Sequence, residues 1–193
     1  MMRGRLMGLG FVLLLALSAC ATTPAAVPAV YDLSQLSPLR LNVAHVAAAD
    51  NAVGVSAHAI TMMPDLKTRL NNWQQQRLQA AGADGQITLV IQQAEVVRQP
   101  LPLRQDLQGT FTRQQREQWQ GTVKAEMQLL KPETAQRGFV SAEAARSTTL
   151  PEDATPAERQ AAWNNLMNGL ISDIDQQFEK NVRQHWSEVL VGQ

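Results

Sequence analysis

A chain of 193 residues with 17 Lys and Arg against 17 Asp and Glu has the length of one ordinary domain plus extensions, and no net charge. That balance excludes the clustered basic surface of a nucleic-acid binder and a polybasic membrane patch. A single cysteine excludes a disulfide framework and a multi-cysteine metal site.

Arg3 and Arg5 open the chain, followed by an apolar run over residues 6–17 and then by Ser18 and Ala19. The run is too short to span a bilayer comfortably and has the length of a signal-peptide core. The tetrapeptide Leu17-Ser18-Ala19-Cys20 resembles the lipobox of bacterial lipoproteins. The resemblance implies that Cys20 receives diacylglycerol, that cleavage falls between Ala19 and Cys20, and that the new amine is acylated. Several acyl chains on one residue make a stable anchor, at about 0.8 kcal/mol per buried methylene. An unpaired cysteine in an exported chain otherwise lacks an explanation. With Arg3 and Arg5 removed, 15 cations face 17 acids, a net charge of about −2. Ala21 stands where Asp tends to retain a lipoprotein in the inner membrane, so the expected location is the periplasmic side of the envelope, at the outer membrane. Residues 21–30, ATTPAAVPAV, are small, uncharged and Pro-punctuated, as suits a semi-rigid spacer. The expected organisation is a signal peptide over 1–19, the lipidated cysteine and a flexible tether over 20–38, and a periplasmic α+β domain over 39–193.

Within that domain, LRLNVAHV at 39–46 alternates and predicts one strand, with His45 in register with Leu41 and Val43. Residues 47–63 are weakly patterned and predict a loop with at most a short strand. Pro64 and Asp65 start a helix with the apolar stripe Leu66, Leu70, Trp73, Leu78 and Ala81, ended by Gly82 and Gly85. The β-branched segment 86–97 predicts a central strand. A long polar loop follows over 98–118, carrying Leu101, Leu103, Leu107 and Phe111, which are candidate partner contacts or residues folded back on the domain. Residues 118–130 give the clearest strand. Trp119, Gly121, Val123, Ala125, Met127 and Leu129 share one face, and polar residues share the other. A turn at 131–133 leads to a fourth strand over 137–149, poor in large residues and bearing Glu143 and Arg146, as an edge strand would. Thr155, Pro156 and Glu158 superpose a capping box on a first-turn proline. The helix they open carries the stripe Trp163, Met167, Leu170, Ile174, Phe178, Val182, Trp186 and Leu190. Continued to Leu190 it would reach roughly 50 Å, so it either bends, with Gly169 as a soft point, or projects. The order β-α-β-β-β-α predicts a two-layer α+β sandwich: a mostly antiparallel sheet of about four strands, two helices on one face, and all four tryptophans inward.

Beyond the lipobox, RLQAAG at 77–82, the alternating strand at 119–129 and RSTTLPEDATPAER at 146–159 resemble a group of uncharacterised proteobacterial lipoproteins. In layout, the lipobox, short strand, helix, hairpin and closing helix resemble small outer-membrane lipoproteins of the YajG-like and lipopolysaccharide-assembly classes. These resemblances imply envelope anchoring and carry no activity.

Catalytic patterns are sparse. His45, His58 and His185 are scattered, and Asp50 and Ser56 lie between the first two, so a Ser-His-Asp reading can be assembled. It lacks the G-x-S-x-G elbow, and the chain has neither H-E-x-x-H nor a phosphate-cradling glycine loop. Glu152 and Asp153 precede a helix, where acids favour the dipole. No cofactor or metal is expected, and a non-enzymatic accessory role is. The alternative is a lipid- or small-ligand-binding module, with Ala142, Ala144 and Ala145 either leaving space or letting a helix approach. A hydrolase ranks third.

Overall fold

The computed structural model describes residues 31–50, 56–62, 64–102 and 113–192. Its elements in chain order are β1 (Leu39–Leu41), β2 (His45–Asp50), α1 (Leu66–Arg77), β3 (Leu78–Ala80), β4 (Gln86–Pro100), β5 (Gln115–Lys131), β6 (Gln136–Pro151) and α2 (Pro156–His185). Short 3₁₀ turns sit at Leu33–Gln35 and Ser187–Val189. The architecture is an α+β sandwich, as the element order predicts.

The main sheet runs β2-β4-β5-β6. β4, β5 and β6 pair antiparallel, and β2 joins β4 in parallel. β5 follows its alternating sequence. Trp119, Val123, Ala125, Met127 and Leu129 are buried under the helices, while Gln120 and Gln128 are exposed on the other face. β6 is an edge, as its composition suggests. Gly121 lets α2 approach, since a Cβ there would lie 2.5 Å from Leu170 Cδ1. Ala142 and Ala144 are buried on the same face, whereas Ala145 is exposed on the opposite one.

Four local expectations are corrected. The strand expected over 39–46 divides in two, because β1 pairs with β3 while β2 pairs with β4. The break between them carries His45 out of register with buried Leu41 and Val43, and His45 is exposed. β2 also claims residues 47–50 from the segment expected to be a loop. α1 stops at Arg77, not at residue 81. Leu78 has ψ 115° and begins β3, where pairing with Leu39 buries it. The polar loop is shorter at both ends, because β4 and β5 continue to Pro100↔Glu117, and the Leu101 N–H donates to Arg116 O at 2.7 Å. Polar sequence there conceals a strand because its side chains face solvent.

α2 is one uninterrupted helix that stops at His185, short of the Leu190 expected from the apolar stripe. Its capping box forms, with the Glu158 N–H donating to Thr155 Oγ1 at 3.2 Å and the Thr155 N–H donating to Glu158 Oε2 at 2.7 Å. That backbone bond, with Arg113 at 2.8 Å beside it, holds the Glu158 carboxyl down at about 2. The 30-residue helix is roughly 45 Å long. The 17-residue β5 is roughly 56 Å long, so sheet and helix match. Gly169 is a slot for Arg146. A Cβ there would lie 2.6 Å from Arg146 Cδ, and Arg146 crosses it to hold Asp173 at 2.6 and 2.8 Å. At Trp186 the chain leaves the helix, and the terminus returns along β1, with the Asn42 N–H bonding to Val189 O and the Val191 N–H to Arg40 O. All four tryptophans are buried, at 0 to 6 % exposure.

Candidate functional site

The polar features of the interior lie between α1 and α2. On α1, Arg69, Trp73 and Arg77 recur every four residues and share one face. On α2, Asn164, Asn168, Asp175 and Glu179 share the facing side. The two helices run in the same sense, because Arg69 meets Asn164 and Asn168 while Arg77 meets Asp175 and Glu179.

Asp175, 2 % exposed, is the centre of the first cluster. Its Oδ1 accepts from Trp73 Nε1 at 2.8 Å and from Arg77 Nε at 2.5 Å, and its Oδ2 accepts from the Tyr31 hydroxyl at 2.8 Å. Arg77, 1 % exposed, also donates to Glu179 Oε2 at 2.8 Å and to the Ser37 carbonyl. Trp73 stacks on Phe178 with ring centroids 5.3 Å apart, walling the pair off from water. A buried charge pair of this kind is tolerated when its polar atoms are hydrogen-bonded, and here each side-chain nitrogen of Arg77 and each carboxylate oxygen of Asp175 has at least one partner. The cluster fastens the chain at Tyr31 and Ser37 to both helices. Burial, followed by the bond to Asp175, pushes the Tyr31 hydroxyl from its ordinary 10.0 up to about 12.

Arg69 is different. Nη1 donates to Asn168 Oδ1 and Nη2 to Asn164 Oδ1, both at 2.9 Å, and no carboxylate pairs with it among the described residues. Its Nε is buried without a hydrogen-bond partner, and burial pulls the guanidinium's basicity down. Arg69 borders a cleft of about 480 Å³, lined by Tyr31, Asp32, Leu33, Pro64, Asn72, Gln76, Asn168 and Ile171.

The wet face of the sheet carries one apolar pair. Phe139 is 66 % exposed and Leu130 36 %, and they are diagonal neighbours across the β5–β6 ladder.

Most of the sequence-predicted site residues fall where the structure gives no description. Ala19 and Cys20 lie outside the described residues, as do Leu103, Leu107 and Phe111. Leu101 sits half-buried just beyond β4. His45, His58 and His185 are exposed on separate elements. Ser56 Oγ accepts from the His58 backbone N–H at 3.4 Å, and no imidazole bonds to it among the described residues. Among the described residues no three His, Cys, Asp or Glu are grouped to hold a metal ion. Sequence reading missed Arg69, Arg77 and Asp175. The signal was present at Asp175, an acid flanked at helical spacing by Ile171 and Phe178.

The chain matches no protein-family model and no curated protein sequence. In fold it is similar to a minor lipoprotein of Acinetobacter baumannii, at 16 % identity and TM-score 0.41 over 77 % of this chain and 96 % of that one. It is also similar to the rare lipoprotein B of Shewanella oneidensis, at 12 % identity and TM-score 0.38 over 74 % and 97 %. A Xanthomonas campestris protein follows at 11 % and 0.36 over 78 % and 91 %. The first two structures are of bacterial lipoproteins. At these identities and scores no residue role transfers from any of them.

Proposed function

We propose that this chain is exported, cleaved before Cys20 and held by lipid on Cys20 at the periplasmic face of the envelope, at the outer membrane. There it acts as a non-enzymatic accessory lipoprotein that contacts an envelope protein. The observation that carries the reading is the tetrapeptide Leu17-Ser18-Ala19-Cys20, which contains the only cysteine of the chain and follows a signal-length apolar run. No helix among the described residues is long and apolar enough to cross a membrane. The uncharged spacer at 21–30 would let the domain reach away from the bilayer. The scattered histidines give an enzymatic reading no constellation to rest on. The layout likeness to YajG-like lipoproteins belongs to this proposal as well.

Labelling cells with tritiated palmitate and fractionating their membranes tests the anchor, with Cys20→Ala as the comparison. Label on wild type alone, in the outer-membrane fraction, is the expected outcome. Unlabelled wild-type protein free in the periplasm would remove the anchor and the tether together.

A further inference from the structure

The Arg69 cleft is built like a binding site with one charge to satisfy. Arg rarely leaves water without an anion, because the desolvation cost is recovered only through pairing. Arg69 has left water in part, yet its neighbours are two neutral amide oxygens. Those two bonds use one proton on each Nη, and a guanidinium carries five N–H donors. They also fix the orientation of the fork. The Asn72 and Gln76 amides beside it carry no hydrogen bond among the described residues.

The charge census around the cleft sets the ligand. Among the described residues Asp32 is the one acid lining it, and its carboxylate is turned to its own loop by Ser34 Oγ at 2.6 Å and Gln35 Nε2 at 3.3 Å. One cation with an acid at the rim suits a single negative charge and opposes a doubly charged phosphate. Each Nη of Arg69 keeps one proton beyond its asparagine bond, and a carboxylate oxygen can accept it. The remaining walls, Tyr31, Leu33, Pro64 and Ile171, are apolar or aromatic and suit a hydrocarbon body. We infer that the cleft between α1 and α2 binds a small amphipathic monocarboxylate, its carboxylate on Arg69 and its apolar part along Tyr31, Leu33 and Ile171. This goes beyond the anchoring and partner reading and does not depend on it.

The probe is hexanoate carrying a ¹³C carboxyl, titrated into the full chain in dodecyl maltoside and followed by its carboxyl resonance. Hexanol and hexyl phosphate are the comparison ligands. Saturable hexanoate binding is expected, with hexanol and hexyl phosphate each bound at least about tenfold more weakly. Arg69→Gln should weaken hexanoate at least about tenfold. Asn72→Trp, at an exposed position on the cleft wall, should do the same with Arg69 intact, which separates site loss from misfolding. The inference fails if hexanoate shows no saturation. It also fails if Arg69→Gln binds like wild type, if hexanol equals hexanoate, or if hexyl phosphate binds more tightly. None of these outcomes bears on palmitate labelling of Cys20.

Discussion

Tyr31 is the only tyrosine in the chain, and its hydroxyl donates directly to Asp175. That makes the cluster readable by one chromophore. Removing the hydroxyl proton would place a phenolate in a partly buried site against the Asp175 carboxylate, and both burial and repulsion oppose it. The alkaline tyrosinate absorbance of the folded protein is therefore expected to rise with a midpoint near 12 in place of 10.0. The folded value lies above the unfolded one. The linked stability is thus complete below the ordinary value of 10.0 and is lost as pH rises through about 12. Asp175→Asn removes the hydrogen-bonded charge but not all of the burial, so its midpoint should move only part of the way back. A wild-type midpoint at the ordinary value would mean that Tyr31 is not fastened to α2 in solution. No pattern in the sequence announces this contact, because Tyr31 and Asp175 are 144 residues apart. Periodicity reports which face of a helix is buried. It does not report which polar groups on two buried faces will meet.

At the scale of elements, β6 shows how an edge strand is kept from pairing with another chain. The Glu143 N–H donates to Gln177 Oε1 at 3.2 Å, and Gln177 Nε2 returns a bond to Glu143 O at 2.7 Å. One side-chain amide thus takes the place of a neighbouring strand's peptide. Asn181 Nδ2 adds a single bond, donating to Ser141 O at 2.8 Å. Exposed edges with free N–H and C=O groups template aggregation, and α2 covers this stretch with two amides. The double variant Gln177→Ala, Asn181→Ala is expected to lose about 1–3 kcal/mol in urea unfolding, from three ordinary hydrogen bonds. Its light-scattering mass should also climb with protein concentration relative to wild type in the same detergent. Equal masses at every concentration would mean that the amides serve helix packing alone. The edge itself was legible in the small residues of β6, and β5 was legible because Trp119 to Leu129 alternate without interruption. The parallel β1–β3 pairing was not. Each strand has three residues, too few for a period, and the contact joins Leu39 to Leu78 across the whole of α1. The same pairing overrode the helical reading of 78–81, since strand and helix compete for the same backbone groups.

Over the whole molecule, the two sheets and two helices share one core. Leu41 and Leu78 of the small sheet belong to the same buried cluster as Met127 of β5 and Phe178 of α2. The terminus reinforces this, since Leu190 bridges to Leu41 after α2 has crossed the main sheet. The length of α2 pointed to a bend or an overhang only because the strands had been read as short. Once β5 is given its 17 residues, helix and sheet end together, and Trp186 closes the far end against Gly138. Four tryptophans sample this core at three places: Trp73 between the helices, Trp119 edge-on to Trp163 with centroids 6.2 Å apart, and Trp186 at the far end. If the small sheet folded as a separate unit, Trp73 and Trp186 would respond to urea apart from the other two. The shared cluster predicts instead one cooperative step, with tryptophan fluorescence and far-ultraviolet circular dichroism giving the same midpoint. A fluorescence transition in two steps, with the dichroism following only the second, would show that the β1–β3 ribbon and the returning terminus detach before the main sheet unfolds.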